Sequence, residues 1–364
     1  MTLDLTTAGE SHGPALVAIL AGLPAGLVLE REMIDADLRR RQEGYGRSPR
    51  QRIEQDTVEV LAGLRHGRTL GTPLAIVVRN RDHANWEWGM SPWPPEGEPH
   101  GKGTRGVTLP RPGHADQAGV RKFGLSDVRD ALERASARHT AVTVAAGAVA
   151  KALLRELAVD VSGTVVELGG VEEDEERRAA VDAARAARDT LGGIVEVRAR
   201  GVPPGLGSYA TKEGRLDGRL AAALAGIQAV KGVELGDGFA LARARGSEAH
   251  DEILPGPRRA SNRAGGLEAG VSNGEEIVVR AAMKPLPTLM RPLRSVDLES
   301  GEPGEALVER SDTAAVEALA VVAEAAVALE LARAAREKFG GDALVDFVGA
   351  WRAYTERILW SPTL

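Results

Sequence analysis

Ala141-Val142-Thr143-Val144-Ala145-Ala146-Gly147-Ala148-Val149-Ala150-Lys151-Ala152-Leu153-Leu154 is the longest apolar stretch of the chain, interrupted by Thr143 and Lys151. It is too short to span a bilayer and reads as a buried helix. Just upstream, Ser126-Asp127-Val128-Arg129 supplies an N-cap residue without the acid of a capping box. From there one continuous helix is expected, through Glu133-Arg134-Ala135-Ser136-Ala137-Arg138-His139-Thr140 to Leu157. Arg134 and Arg138 are four apart, on one face of such a helix. Two like charges there repel unless an anion sits between them; separate solvent-facing arginines are the plain alternative. The small residues between them let a flat ligand approach closely.

Further upstream, Arg111-Pro112-Gly113-His114-Ala115-Asp116 puts a cation, a turn, an imidazole and a carboxylate into six residues. Pro112 presets φ and Gly113 permits a sharp reversal. Arg111 can grip an anion in a planar fork. His114 can carry a proton near neutral pH, with Asp116 to orient it. Alone, the motif reads equally well as a polar surface turn. A second basic segment, 39–52, holds six arginines against one acid and is broken by Gly44 and Gly46. It is either a solvated basic face or a loop that clamps a polyanion.

The chain has 364 residues, enough for one large or two ordinary domains. With 43% hydrophobic and 27% charged residues it is globular in composition. The net charge of −6 argues against nucleic acid, as does the lack of a stacking platform or recognition motif. Only seven of the 46 cationic residues are lysine, and arginine is the better residue for bidentate phosphate and carboxylate contacts. The absence of cysteine excludes disulfides, thiol catalysis and Cys-ligated metal and fits a reducing cytoplasm. Met1-Thr2-Leu3-Asp4 lacks a basic region followed by an apolar run, so no signal peptide is expected.

Residues 2–7, 15–20, 57–61, 74–78, 161–168, 194–200, 233–241 and 277–283 read as strands. Residues 30–42, 173–190, 217–230 and 342–358 read as helices, with another long helix inside 308–338 that ends before Gly340. Ser311 or Asp312 is the expected N-cap of that helix. By pattern alone, the alternation suggests a parallel α/β sheet. Between the first two strands, Gly9-Glu10-Ser11-His12-Gly13 matches the letters of a hydrolase nucleophile elbow, but no helix follows. Arg79 to Arg105, with Trp86, Trp88 and Trp93, is a long irregular loop, for which lid and oligomer-contact readings both stand. Arg258–Gly274 is rich in glycine but matches neither a dinucleotide fingerprint nor a P-loop. No linker divides the chain, so one composite domain over 1–364 is expected. The histidines lack metal-ligand spacing. His12, His114 and Asp312 come from separate loops, together with Arg41, Arg47, Arg111, Arg134, Arg138 and Arg310. Such a set suits a multiply charged anion and proton handling.

These segments together closely resemble the chorismate synthase family over nearly the full length. The resemblance is carried by Ala8–Pro14, Arg39–Arg47, Arg111–Asp116, Leu132–Arg138, Ala145–Lys151, Gly201–Tyr209, Ser261–Gly274, Lys284–Thr288 and Arg310–Thr313. It implies an α+β fold, a β-α-β sandwich of antiparallel sheets around central helices, assembled as a cytoplasmic homotetramer. It also implies a carbon–oxygen lyase of aromatic amino acid biosynthesis. The activity is 1,4-elimination of phosphate from 5-enolpyruvylshikimate 3-phosphate, dependent on reduced FMN, with NADPH as a flavin reductant in some members.

By the same resemblance, His12 serves the leaving phosphate and His114 the flavin, while Ser11 and Asp312 assist proton removal. Arg41, Arg47, Arg111 and Arg138 hold substrate, with Arg41 and Arg47 also matching a nucleotide-cofactor (NADP) site. Flavin contacts fall to Arg134, Ala135, Ser136, Gln228, Ala229, Ala269, Lys284, Pro285, Leu286, Pro287, Thr288 and Arg310. Two departures stand out. Ala269-Gly270 replaces a pair of glycines, which costs stability if φ is positive at Ala269. His139 stands where glutamate is common and is expected to face away from the ligand. The competing functions are a Ser/His hydrolase, a flavin reductase and a non-catalytic phosphate- or flavin-binding protein.

Overall fold

A computed structural model of the chain describes residues 2–47, 55–256, 258–309 and 311–361. The apolar stretch 141–154 lies in helix α4 (Thr140–Arg155), and 14 of its 16 residues are buried. Its cover comes from two sheets and a second apolar helix. The first sheet is formed by β1 (Asp4–Ala8), β2 (Ala15–Ala21), β3 (Glu59–Ala62) and β4 (Leu74–Arg79), in the order β1-β2-β4-β3. The second is formed by β5 (Asp160–Leu168), β6 (Gly193–Arg200), β7 (Val230–Leu235) and β8 (Ile277–Met283), in the order β5-β6-β8-β7. Every pairing within both sheets is antiparallel. The parallel α/β expectation is therefore corrected, and the α+β sandwich is what the chain forms. The helical segments between strands misled the pattern reading: α4 lies in the layer between the sheets instead of serving as a parallel crossover.

In β6, burial favours every second residue, with Val195, Val197 and Ala199 on the core side. Val197 faces Val279 of β8, the cross-strand pairing that a half-buried sheet selects. Helix α7 (Val316–Phe339) fills the middle layer beside α4 and packs on β5 and β6, while α1 (Arg31–Gln42) flanks both helices. The helix layer is made mostly of alanine and valine, which lets the backbones come close. At Gly147 of α4 a Cβ would lie 2.3 Å from the Ala325 Cβ of α7. Gly147→Ala is accordingly expected to destabilise the protein by about 2 kcal/mol through overpacking, read as a lower urea midpoint at unchanged slope.

Two local readings are corrected. The helix expected to run from Ser126 to Leu157 is broken. Helix α3 (Val128–Ala135) stops, Ser136 is extended at φ −61°, ψ 141°, a single 3-10 turn follows (Ala137–His139), and only then does α4 begin. The Ser136 hydroxyl accepts from the Arg138 N–H, so a side chain competes with the helix for backbone donors. Arg134 and Arg138 therefore do not share one helix face. Likewise, neither Ser311 nor Asp312 caps α7. The cap position is Ala315, without a side-chain hydrogen bond, which leaves Ser311 and Asp312 in the loop ahead of it.

Candidate active site

Loops from both sheets and the ends of α1, α3, α6 (Leu216–Ala225) and α7 meet around a cavity of about 620 Å³. Its wall carries Ser11, His12, Arg41, Arg47, Arg111, His114, Ala135, Ser136 and Arg138. Gln228, Ala229, Lys284, Leu286, Pro287, Thr288, Ser311 and Asp312 complete it from the second half of the chain. Most residues singled out in the sequence thus converge on one place. Arg134, Pro285 and Ala269 do not reach the wall. Arg134 donates to the Thr7 carbonyl (3.1 Å) and hydroxyl (2.9 Å), bracing β1. Ala269 sits in the turn between the short strands Leu267–Glu268 and Val271–Ser272, at φ +52°. The condition for a conformational cost at Ala269 is met. Arg310 lies outside the described residues.

The two histidines are built alike. Ser11 and His12 lie in the turn joining β1 to β2, an antiparallel hairpin with no elbow into a helix. Both His12 nitrogens near the turn are held by buried Glu133 of α3: its backbone N–H donates to Oε2 (2.8 Å) and Nδ1 lies 2.8 Å from Oε1. Burial opposes ionisation of Glu133, yet the bonds from His12 and the charge of Arg129 outweigh it and hold the carboxyl below its usual range. An ionised Glu133 fixes the proton on Nδ1 and leaves Nε2 for a ligand. His114 repeats the arrangement from the other side, with its Nδ1 on Asp116 Oδ1. Asp116 opens α2 (Asp116–Phe123) and is fully buried. Burial again opposes its charge, but hydrogen bonds from His114 and Arg111 keep its carboxyl well below the ordinary range. Arg111 Nη2 is 3.2 Å from the same His114 nitrogen, so Asp116 is what keeps two donors side by side.

The arginines are held by the protein itself. Arg111 donates through Nε to Asp116 (2.9 Å) and through Nη1 to Thr288 (2.8 Å). Arg138 makes a two-pronged bond to Asp56 (2.6 and 2.8 Å), with Nε on Asn80 Oδ1 (2.9 Å). Arg47 pairs with Asp312 at 3.0 Å, and its buried Nε has no hydrogen-bond partner. Burial, together with the charges of Arg138 and Arg47 beyond it, pushes the Arg41 guanidinium down to about 9 against the pull of Asp56. A guanidinium under that stress is relieved by an anion more readily than by losing its proton. On the opposite wall, burial and neighbouring Lys231 lower Lys284, whose Nζ donates to the Gly113 carbonyl and ties the two loops together. Gln228 donates to His139 Nε2 (3.0 Å), and His139 Nδ1 lies 2.9 Å from the Ser136 carbonyl. His139 thus sits behind the wall, as expected.

Sequence reading missed Glu133, Asp56 and Asn80. The signal for Glu133 was present in its i, i+4 spacing from Arg129, which bonds it at 3.2 Å. Asp56 and Asn80 carry no local signal, since their partner is distant in the chain. Among the described residues, no group of three or more His, Asp or Glu is placed to hold a metal, and no helix is long and apolar enough to cross a membrane.

The chorismate synthase family profile matches residues 3–335. The chain belongs to the chorismate synthase family. The chorismate synthases of Rubrobacter xylanophilus and Desulforudis audaxviator are each 53% identical to it, over 98% of both chains in each case. A chorismate synthase crystal structure superposes with a TM-score of 0.78 at 37% identity, covering 98% of each chain. The family's fold is therefore the fold seen here, and the paired histidines and buried arginines lie in a family member's cavity.

Proposed function

We propose that this cavity converts 5-enolpyruvylshikimate 3-phosphate to chorismate and inorganic phosphate, with reduced FMN bound beside the substrate. The family assignment supports the synthesis of chorismate, in the shikimate pathway. The observation that carries the chemistry is the pairing of two imidazoles, each backed by a buried carboxylate, on one arginine-lined wall. The cavity also fits the flavin. Ala135, Met283, Leu286 and Pro287 offer flat apolar surface, and the unpartnered Arg47 Nε offers a donor to an anionic tail. When bound, the reduced flavin supplies electron density transiently and returns it, so the reaction involves no net redox change.

The chain's own residues do the remaining work. Arg41, Arg47, Arg111 and Arg138 form a fixed cationic wall that orients phosphate and carboxylates without reorganising. His12, as imidazolium on Glu133, donates from Nε2 to the departing phosphate and neutralises its charge. His114, held by Asp116, serves the flavin in the same manner. Ser11 and Asp312 lie on the wall to carry the ring proton away. Gln228, Ala229, Lys284, Leu286, Pro287 and Thr288 bound the flavin side, and Arg41 and Arg47 double as contacts for NADPH where it serves as reductant. In this reading residues 1–364 act as one composite domain in a cytoplasmic homotetramer.

The test is an anaerobic assay with chemically reduced FMN, following chorismate absorbance and phosphate release together. Equal amounts of both products, absent with oxidised FMN, are expected. A folded protein that binds FMN and yields neither product sinks the reading. Within the same assay, Asp116→Asn is expected to lower kcat at least about tenfold, because the amide no longer dictates the His114 tautomer. An unchanged kcat would remove His114 from the reaction.

A further inference from the structure

We propose that Trp86 is a positioning residue for His12, its indole fixing the plane of the imidazole and hence the direction of Nε2. The proposal rests on the reading of His12 as the donor to phosphate. Trp86 does not line the cavity. Its buried indole stacks on the His12 ring, with centroids 4.0 Å apart and planes at 24°. The hydrogen bond from Nδ1 to Glu133 fixes one edge of the imidazole but leaves it free to swing about that contact. A flat partner at stacking distance removes that freedom.

The indole is itself held in place. Its Nε1 donates to Asp82 Oδ2 at 3.0 Å, and Asp82 also receives Asn85 Nδ2 at 2.7 Å and Lys102 Nζ at 3.2 Å. Only a glycine fits at position 103, where a Cβ would stand 2.9 Å from Trp86 Cε3. The same turn (Arg81–Asn85) sends His83 Nδ1 to within 2.9 Å of the His12 carbonyl. One turn of chain thus grips both the backbone of His12 and, through Trp86, its ring. Arg129 joins the assembly: its guanidinium carbon is 4.8 Å from the indole centroid, and it bonds Glu133, the carboxylate under His12. The tryptophan-bearing loop, read from sequence as lid or oligomer contact, contributes its first tryptophan to the back of the site.

The experiment compares Trp86→Leu, Trp86→Phe and His12→Ala with wild type, each checked for folding by circular dichroism. Two readouts are taken: kcat and KM with reduced FMN, and the Nδ1–H resonance of His12 in histidine-labelled protein, assigned by its absence from His12→Ala. Trp86→Leu is expected to lower kcat about 10- to 100-fold with KM little changed, and to lose or broaden the resonance. Trp86→Phe, which keeps a ring face but no N–H, is expected to restore both. A folded Trp86→Leu with wild-type kcat and resonance, beside a crippled His12→Ala, overturns the proposal alone. Failure of Trp86→Phe to rescue also overturns it, since the loss then belongs to the indole N–H and not to the stack. Wild-type turnover in His12→Ala overturns the reading of His12 and this proposal with it.

Discussion

Replacing His12 by alanine is expected to lower kcat by about 100-fold or more while FMN affinity stays near that of wild type. Nδ1 of the imidazole is directed to Glu133 and its face rests on Trp86, so the nitrogen left to act on a ligand is Nε2. In the proposed reaction, removing it takes away the proton donor to phosphate without removing an arginine from the wall. The loss belongs in kcat and not in KM, because the donor acts as the phosphate leaves. Glu133→Gln should produce a smaller loss of the same kind, since the amide still accepts from the His12 backbone but no longer stabilises an imidazolium. Single-turnover mixing of enzyme, reduced FMN and substrate checks this directly. A His12→Ala enzyme whose defect lies wholly in KM would make His12 a binding group.

Glu324→Ala is expected to destabilise the fold by about 3–5 kcal/mol, a large part of the stability of an ordinary domain. Glu324 is buried in α7, and three elements depend on it. Arg40 of α1 clasps it in two bonds (2.9 and 2.8 Å), Lys151 of α4 pairs with it, and the Gly163 N–H of β5 donates to it at 2.9 Å. Without the carboxylate, Lys151 keeps Asp37 at 2.5 Å, but the Gly163 N–H loses its acceptor. Burial raises the Glu324 carboxyl, and the bonds from Arg40 and Lys151 more than reverse this, so its folded value lies below the usual one. A depressed carboxyl contributes stability above its unfolded value, about 4.3 for glutamate, and loses it as pH falls through the folded value. Urea unfolding at pH 7 and in the acid range should therefore show a large gap between wild type and Glu324→Ala at neutrality that narrows in acid. A gap independent of pH would mean that packing, and not charge, is what Glu324 provides. Glu324→Leu combined with Lys151→Met should recover much of the loss, since an apolar pair needs no counter-charge.

The apolar stretch 141–154, the strand at 277–283 and the glycine after α7 were legible because periodicity and caps are local signals. The sheet topology was not, because antiparallel order follows from which strands meet across the middle layer. The break at Ser136 escaped for a related reason: Ala135-Ser136-Ala137 has no glycine or proline, and at the break the serine hydroxyl takes the Arg138 N–H. Of the site, the titratable residues stood out by type, and the family resemblance gathered them. Their partners did not stand out. Asp56 is 82 residues from Arg138, and Glu133 is 121 from His12, distances over which no spacing rule operates.

Helix α7 has one end at the cavity and its middle clamped. Ala318, Leu319 and Val322 form part of the cavity wall, and Ala325, less than one turn further on, meets Gly147 at the helix crossing. A rod of three residues' rise, about 4.5 Å, joins this closely fitted crossing to the wall of the cavity. Small side chains give such a joint no slack, so a shift at the crossing arrives at the wall nearly undiminished. Changes that enlarge a core side chain near Gly147 should therefore register as altered substrate affinity as well as lower stability.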